Sequence, residues 1–381
     1  MKEIADTLGV SLPALRRLTE RDVLRYAFIK HPFFSDVLDA YKFDKKFGEF
    51  EEGTLIAKTV EGIEIVRGFP KIKRALTLYP TIKKHFSGDV AVEEKMNGYN
   101  VRVVKFGRNI YAITRGGFIC PYTTEKARML LNDSFFNDHP NLMLCCEAVG
   151  EESPFVPNSI YGEKLDFYVF DIRDKKTNEP IKIEDKIKIC EEYGFKIAPI
   201  HAIVSSNKAH DVVRDVIERL GKEGREGVVI KDVNMKEPPI KYTTSQANTS
   251  DLSYGFRCFG EYGKDFMFSR IIREGFQSWE FNESEKEREE RALRIGKAIL
   301  YSMVESIKDV KERGKIYEKI RLRFYDLEVF KLFKEHVRRM GITAKFSAPI
   351  EDREGYIVHY YKYMKSTTDT IKHILTGNLW S

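Results

Sequence analysis

A lysine closes the alternating stretch Val92-Glu93-Glu94-Lys95 and is followed by Met96, Asn97 and Gly98 before a second alternating run begins at Tyr99. A lysine at a strand exit beside a glycine turn is fixed in direction, and its amine, once it has lost a proton, can attack an electrophile such as phosphorus. Starting from a pKa of about 10.4, a productive site has to desolvate that amine or set a cation beside it. Taken alone, the same pattern describes a solvated hairpin lysine.

Further stretches add charge and rings. Thr114-Arg115-Gly116-Gly117 offers a guanidinium, a forked donor suited to phosphate oxygens. Leu142 to Gly150 is an apolar run interrupted by the carboxylate of Glu147. In Asp166-Phe167-Tyr168-Val169-Phe170-Asp171-Ile172, Phe167 and Phe170 fall on opposite strand faces, so that one ring joins the core and the other can meet a base. Arg225-Glu226-Gly227-Val228-Val229-Ile230-Lys231 sets a carboxylate and a lysine at the ends of a short apolar strand, and Pro238-Pro239-Ile240-Lys241-Tyr242 adds another lysine. Each has a plainer reading: Glu147 a strand-end charge, the phenylalanines core, Lys231 and Lys241 solvated surface.

The elements that must hold these residues follow from periodicity. Strands are predicted over 90–94, 99–106, 110–114, 142–148, 166–172 and 227–231, with helices over 125–132, 183–193 and 209–220. Before them come two short helices between Ile4 and Leu24, broken near Gly9 to Pro13, and a hairpin from Thr54 to Arg67 turning at Glu61-Gly62. After a turn-rich stretch, 243–254, Glu283 to Glu312 reads as one long helix with Leu293, Met303, Ile307 and Val310 at helical spacing. A second helical stretch is expected over 316–340, then a strand over 356–363 and a short helix near 368–375, together a small separate α+β module. The domains are accordingly 1–62, 63–246, 247–315 and 316–381.

Composition narrows the field. The chain has 381 residues, 64 basic against 58 acidic side chains, a formal net charge of +6 and 42% hydrophobic content. Such a chain folds around a core, and the surplus suffices for a local basic groove but not for a histone-like tail. No window reaches the roughly 18 apolar residues of a membrane helix, and the start of the chain, with Glu3 and Asp6, does not read as a signal peptide, so a cytoplasmic protein without membrane contact is expected. Cys120, Cys145, Cys146, Cys190 and Cys258 form no C-x-x-C pair and read as reduced core residues, while the scattered histidines give no zinc spacing. No glycine-rich phosphate loop or kinase signature is found, so phosphate handling would fall to lysines and acids.

In this order, the stretches resemble the nucleotidyltransferase motifs of covalent nucleic-acid ligases and capping enzymes. Lys95 to Gly98 matches K-x-[DN]-G, with Asn97 where many relatives carry Asp. Arg115 and Glu147 match the next two elements, Phe167 to Ile172 matches F-x-x-F-D-I, Glu226 to Lys231 matches E-G-V-V-x-K, and Lys241 matches the last lysine element. The match covers Val90 to Tyr242, and its wording, including Asn100 where DNA ligases often carry Arg, is most similar to the archaeal ATP-dependent RNA ligases.

The resemblance implies a multidomain α+β fold with ATP-grasp-like antiparallel sheets, and a three-step reaction. Lys95 would attack the α-phosphorus of ATP, the AMP would pass to an RNA 5′-phosphate, and a 3′-hydroxyl would displace it, closing single-stranded RNA into a circle. Lys231 and Lys241 with Mg2+ or Mn2+ would neutralise phosphoryl charge. Glu147 and Glu226 would hold the metal through water, with Glu147 equally a candidate for the ribose hydroxyls. Phe167 would stack on adenine with Phe170 as the packing residue, or the reverse. Glu94, Asn100 and Arg115 would complete the contacts to nucleotide or RNA ends. A homodimer acting on 5′-phosphorylated single-stranded RNA, with single-stranded DNA as a second acceptor class, is implied as well.

Rival readings differ at the chain's two ends. A DNA ligase or GTP-using capping enzyme would continue beyond Lys241 into a five-stranded OB barrel, whereas helical spacing stands there instead. A helix-turn-helix regulator is suggested by Ile4 to Leu15, with Arg16 and Arg17 next to it, but leaves the ordered motifs unexplained. The long helix reads as a dimerisation element or as one more core helix. Tyr356 to Tyr363 alternates rings with basic residues, as a half-buried strand or as a surface that stacks bases.

Overall fold

The computed structural model describes residues 2–379, and among them the strands form four sheets. In chain order these strands are β1 (Leu24–Tyr26), β2 (Val37–Phe43), β3 (Leu55–Thr59), β4 (Gly62–Val66), β5 (Lys73–Arg74), β6 (Asp89–Lys95), β7 (Tyr99–Phe106), β8 (Asn109–Thr114), β9 (Leu142–Val149), β10 (Asp166–Asp174), β11 (Ile200–Ser205), β12 (Gly227–Asp232), β13 (Ile240–Thr243), β14 (Tyr317–Phe324), β15 (Ala344–Phe346), β16 (Ile350–Asp352) and β17 (Gly355–Tyr363). The first sheet runs β1-β2-β3-β4. Two central sheets run β11-β6-β12-β13-β5 and β10-β9-β7-β8, and the last runs β14-β17-β15 with β16 against β17.

The N-terminal helices Lys2–Thr7 and Leu12–Glu20 form as expected, the second capped where Ser11 Oγ accepts from Ala14 N at 3.3 Å. Ile4, Leu8 and Leu15 are buried against Leu24, Phe43, Ile56 and Ile65, so the helices cover one face of the first sheet. The expected boundary between residues 62 and 63 falls inside the β3–β4 hairpin, whose strands pair from Leu55 opposite Val66 to Thr59 opposite Gly62. The sheet ends at Val66, and the segment after it crosses to the central domain.

The central strands and the helices Pro121–Leu130, Ile183–Tyr193 and Ala209–Lys222 match the periodicity reading within a few residues. Beyond them the chain departs from it in three places. The turn-rich stretch is the helix Ser245–Arg257, nucleated by Thr244, whose hydroxyl accepts from Ala247 N at 3.1 Å. Residues 316–324 are strand rather than helix, because Ile320, Leu322 and Phe324 alternate inward along β14 and their partners lie far along the chain on β17. The C-terminal sheet is not a separate module: Ile320, Leu322, Phe324 and Val358 share one continuous core with Val101, Tyr122 and Phe167 of the central domain.

The long helix runs Glu285–Arg313. Its start is fixed by a capping box in which Ser284 Oγ accepts from Glu287 N at 3.3 Å and Glu287 accepts from Ser284 N at 2.7 Å. With Ser245–Arg257 and Lys264–Glu280 it forms the helical layer predicted in place of an OB barrel.

Candidate active site

Strand register brings the motif residues together. β6 and β12 pair antiparallel with Lys95 opposite Gly227 and Glu93 opposite Val229, and β13 places Lys241 opposite Val229 on the other side. Since side chains alternate in direction, Glu93, Lys95, Val229, Lys231 and Lys241 share one face of this sheet. On the other central sheet Asn100 of β7 lies opposite Glu147 of β9. A cleft of about 350 Å³ opens between the two, with Arg115, Phe69 and Phe170 on its rim and walls.

Lys95 leaves β6 into a turn that must approach β9 closely. A Cβ on Gly98 would collide with the carbonyl oxygen of Ala148 and come within 2.7 Å of Val149 Cγ1, so only glycine fits there. The Lys95 amine donates to the Glu226 carboxylate, and the two side chains are 21% and 20% exposed. Glu147 faces the same pair. Burial pushes its pKa up to about 7, with Lys95 pulling it down and Glu226 pushing it further up. Lys241 is pushed down to about 8 by burial and by the cations Arg74, Lys95 and Arg115. Asn100 turns a buried Oδ1 without a hydrogen-bond partner toward this region, an acceptor site that a ligand hydroxyl or amine would satisfy.

Lys231 belongs to a buried charge network. Its amine donates to Glu93 at 2.6 Å, to Asp171 at 3.2 Å and to the Phe170 carbonyl at 2.6 Å, and Lys186 binds the other Glu93 oxygen. Burial alone would lower the Lys231 pKa, but Asp171 and Glu93 outweigh it and hold the ammonium above its ordinary value.

The aromatic assignment is corrected. Phe167 is 2% exposed in the main core, whereas Phe170 stands in the cleft wall, its ring edge-on to Phe69 at 5.0 Å. Alternation along β10 sends Phe167 and Val169 into the core and Phe170 to the opposite face, and a bulge, where pairing with β9 jumps from Val169 to Asp171, leaves Phe170 the unpaired residue.

Glu94 lines the cleft, but its carboxylate is engaged elsewhere. It alternates away from Lys95, accepts from Arg225 Nη1 at 2.7 Å and from Tyr161 Oη at 3.4 Å, and so its carboxylate braces the strand from behind. Arg115 is exposed at the cleft mouth. Its loop is held from below by Arg102, fully buried, which donates to the carbonyls of Thr114 at 2.7 Å, Gly53 at 2.9 Å and Arg67 at 2.6 Å. The pattern reading passed over Arg102, Glu93 and Phe69. Glu93 was legible as the residue sharing a face with Lys95; Phe69 and the contacts of Arg102 join segments distant in sequence and carried no local signal.

Comparison with known proteins points to a family. The family model described as RNA ligase matches residues 88–243. A solved structure titled as an archaeal ATP-dependent RNA ligase superimposes with a TM-score of 0.91 and 39% identity over 99% of this chain and 98% of that one. The chain belongs to the archaeal-type ATP-dependent RNA ligases. A second solved structure, titled as form 2 of an archaeal ATP-dependent RNA ligase, gives 0.90 and 38%, over 99% of this chain and 98% of that one. The ligase is also 41% identical over its whole length, and 97% of the other protein, to an uncharacterized protein of Methanocaldococcus jannaschii. Residues 254–378, a stretch spanning most of the helical layer and the last sheet, match the model described as the ligase Pab1020 C-terminal region. A putative ATP-dependent DNA ligase from Aquifex aeolicus shares the fold, with a TM-score of 0.88 at 24% identity over 97% of this chain and all of that one.

Proposed function

We propose that Lys95 is the nucleophile of this RNA ligase and carries AMP as a phosphoramidate. The observation behind the proposal is the shared face of β6, β12 and β13, which gathers Lys95, Lys231 and Lys241 around one cleft with Glu226 on the Lys95 amine. Glu226 is placed to take the amine's proton; the Lys95 nitrogen bonds to the α-phosphorus, and the bond to pyrophosphate breaks. The AMP then moves to an RNA 5′-phosphate, and a 3′-hydroxyl displaces it to form the phosphodiester. Phe170 stacks on adenine, Asn100 accepts from the ribose, and Lys231, Lys241 and Arg115 meet phosphate oxygens.

Among the described residues no group of three His, Cys, Asp or Glu side chains forms a cage for a bare ion. Glu147 and Glu226 around Lys95 suit instead a hydrated Mg2+ or Mn2+ held through its waters, which supplies charge neutralisation at the phosphates. The acceptor is single-stranded RNA closed on itself, with single-stranded DNA as a second acceptor class.

The ligase acts as a homodimer in the cytoplasm. An apolar groove of about 500 Å³ between the C-terminal helices, lined by Phe256, Met267, Phe268, Met303 and Ile307, supports self-association, and Phe268 is 63% exposed. No helix among the described residues is long and apolar enough to cross a membrane.

Incubation with ATP labelled at its α-phosphate tests the chemistry. Wild type is expected to become covalently labelled, Lys95→Ala to stay unlabelled, and the label to leave on addition of 5′-phosphorylated RNA. Label on Lys95→Ala would overturn the assignment.

A further inference from the structure

The C-terminal sheet has two unlike faces. Ile320, Leu322, Val358 and Tyr360 point inward and are buried. The opposite face is set by register: Tyr317 lies across from Tyr363, Lys319 across from Tyr361, Arg321 across from His359, and Lys345 of β15 flanks Tyr361 on the other side. Rings and cations therefore alternate over one half-exposed surface. Tyr317 meets Tyr361 at 5.6 Å and Tyr363 at 6.1 Å between ring centroids, and the Lys315 amine lies 4.8 Å from the centre of the Tyr363 ring.

This face is continuous with the catalytic domain. Lys319, Arg321 and His359 form one side of a groove of about 480 Å³, and Glu151, Pro157, Asn158 and Ser159 form the other. The short helix Ser159–Tyr161 ends at the reacting lysine's own turn, where Tyr161 Oη accepts from Asn97 N at 3.1 Å. Arg321 is neutralised by Glu152 and Glu163, but Lys319 and Lys345 are exposed and make no ion pair among the described residues. Lys319 and Arg321 add to burial in lowering the His359 pKa, a sign of local positive potential.

We propose that this sheet face, with Tyr317, Lys319, Lys345, Tyr361 and Tyr363, is a platform for the single-stranded body of the RNA whose 5′ end occupies the cleft. Phosphates meet the two free lysines, unpaired bases stack on the tyrosines, and the groove beside Asn158 leads the strand toward Lys95. The proposal rests on the RNA ligase activity and goes beyond it in naming where RNA away from the reacting ends is held.

The test uses the full-length ligase with a short and a long 5′-phosphorylated RNA. In the double variant Lys319→Ala/Lys345→Ala, long RNA is expected to bind more weakly, and the slope of log affinity against log salt to shrink by roughly 0.7 for each lysine lost. Tyr361→Leu keeps an apolar strand residue and is expected to weaken long RNA by roughly fivefold or more without changing that slope. The KM for short RNA should barely move in either variant. Formation of lysyl-AMP from ATP, which uses only the cleft, reports that each variant is folded; its failure in wild type would strike the Lys95 assignment and leave the binding measurement intact. Independently, long RNA carrying a photoreactive base distant from its 5′ end should crosslink in wild type to peptides containing Lys319 or Tyr361. Unchanged affinity and salt slope, or crosslinks confined to other surfaces, would overturn the proposal.

Discussion

Lys231 Nζ donates to the main-chain carbonyl of Phe170 at 2.6 Å. The bulge at Phe170 offers its carbonyl to a lysine of the other central sheet, so this hydrogen bond, beside the Lys231 bonds to Glu93 and Asp171, ties the aromatic wall to the cationic floor.

The two phenylalanines of that motif should separate cleanly. Phe170→Ala removes a cleft wall, and we expect the KM for ATP in lysyl-AMP formation to rise about tenfold with little change in melting temperature. Phe167→Ala empties a core position and should cost about 3–5 kcal/mol of stability in urea unfolding. The reverse pattern would return the adenine contact to Phe167.

The motif lysines should also divide. Lys231→Met leaves Glu93 and Asp171 buried with one cation fewer, and removing one partner of such a network costs about 3–5 kcal/mol. Lys241 has no such paired environment and sits among cations, so Lys241→Met should leave stability equal or slightly higher while slowing self-adenylylation by about 10²-fold. Equilibrium unfolding and single-turnover labelling read the two effects separately.

Adenylylation should have a narrow pH optimum. The Glu147 carboxylate forms as pH rises through about 7, and Lys241 loses its charge as pH rises through about 8. If both charges are used, the rate climbs through the first value and falls through the second. Lys241→Arg should extend activity to higher pH. The stability sign is the opposite of a paired acid's: the folded value of Glu147 lies above its ordinary 4.5, so stability is lost as pH rises from there through about 7. Glu147→Gln should melt higher than wild type at alkaline pH and about equally under acid conditions. Profiles of rate and melting temperature across that range check both statements.

Self-association should depend on the apolar groove. Phe268→Asp places a charge on its rim, and light scattering at micromolar concentration should show a shift from dimer to monomer with lysyl-AMP formation retained. A wild-type monomer would refute the dimer.

Local pattern carried much of this. The period-two runs at Tyr99–Phe106 and Ile183–Tyr193's helical spacing match the elements found, and the order Lys95, Arg115, Glu147, Glu226, Lys231, Lys241 was readable because each residue sits on a strand or directly at its end. Glu93 was within reach by the same parity. What local pattern could not give was anything set by a partner far along the chain. β14 was read as helix since its pairing with β17 spans distant residues, and the choice between Phe167 and Phe170 depended on which face of β10 packs on the core and which looks into the cleft, something alternation alone does not tell. The fusion of the C-terminal sheet to the catalytic core had the same origin, for Tyr122 and Phe324 meet at 5.1 Å although either ring alone reads as ordinary core. The sequence by itself determined which side chains carry charge and which face of each strand they occupy, because backbone alternation is local. Tertiary structure alone decided which faces meet, which carboxylates are engaged and which ring looks into the cleft, because register and packing are settled between segments and not within them.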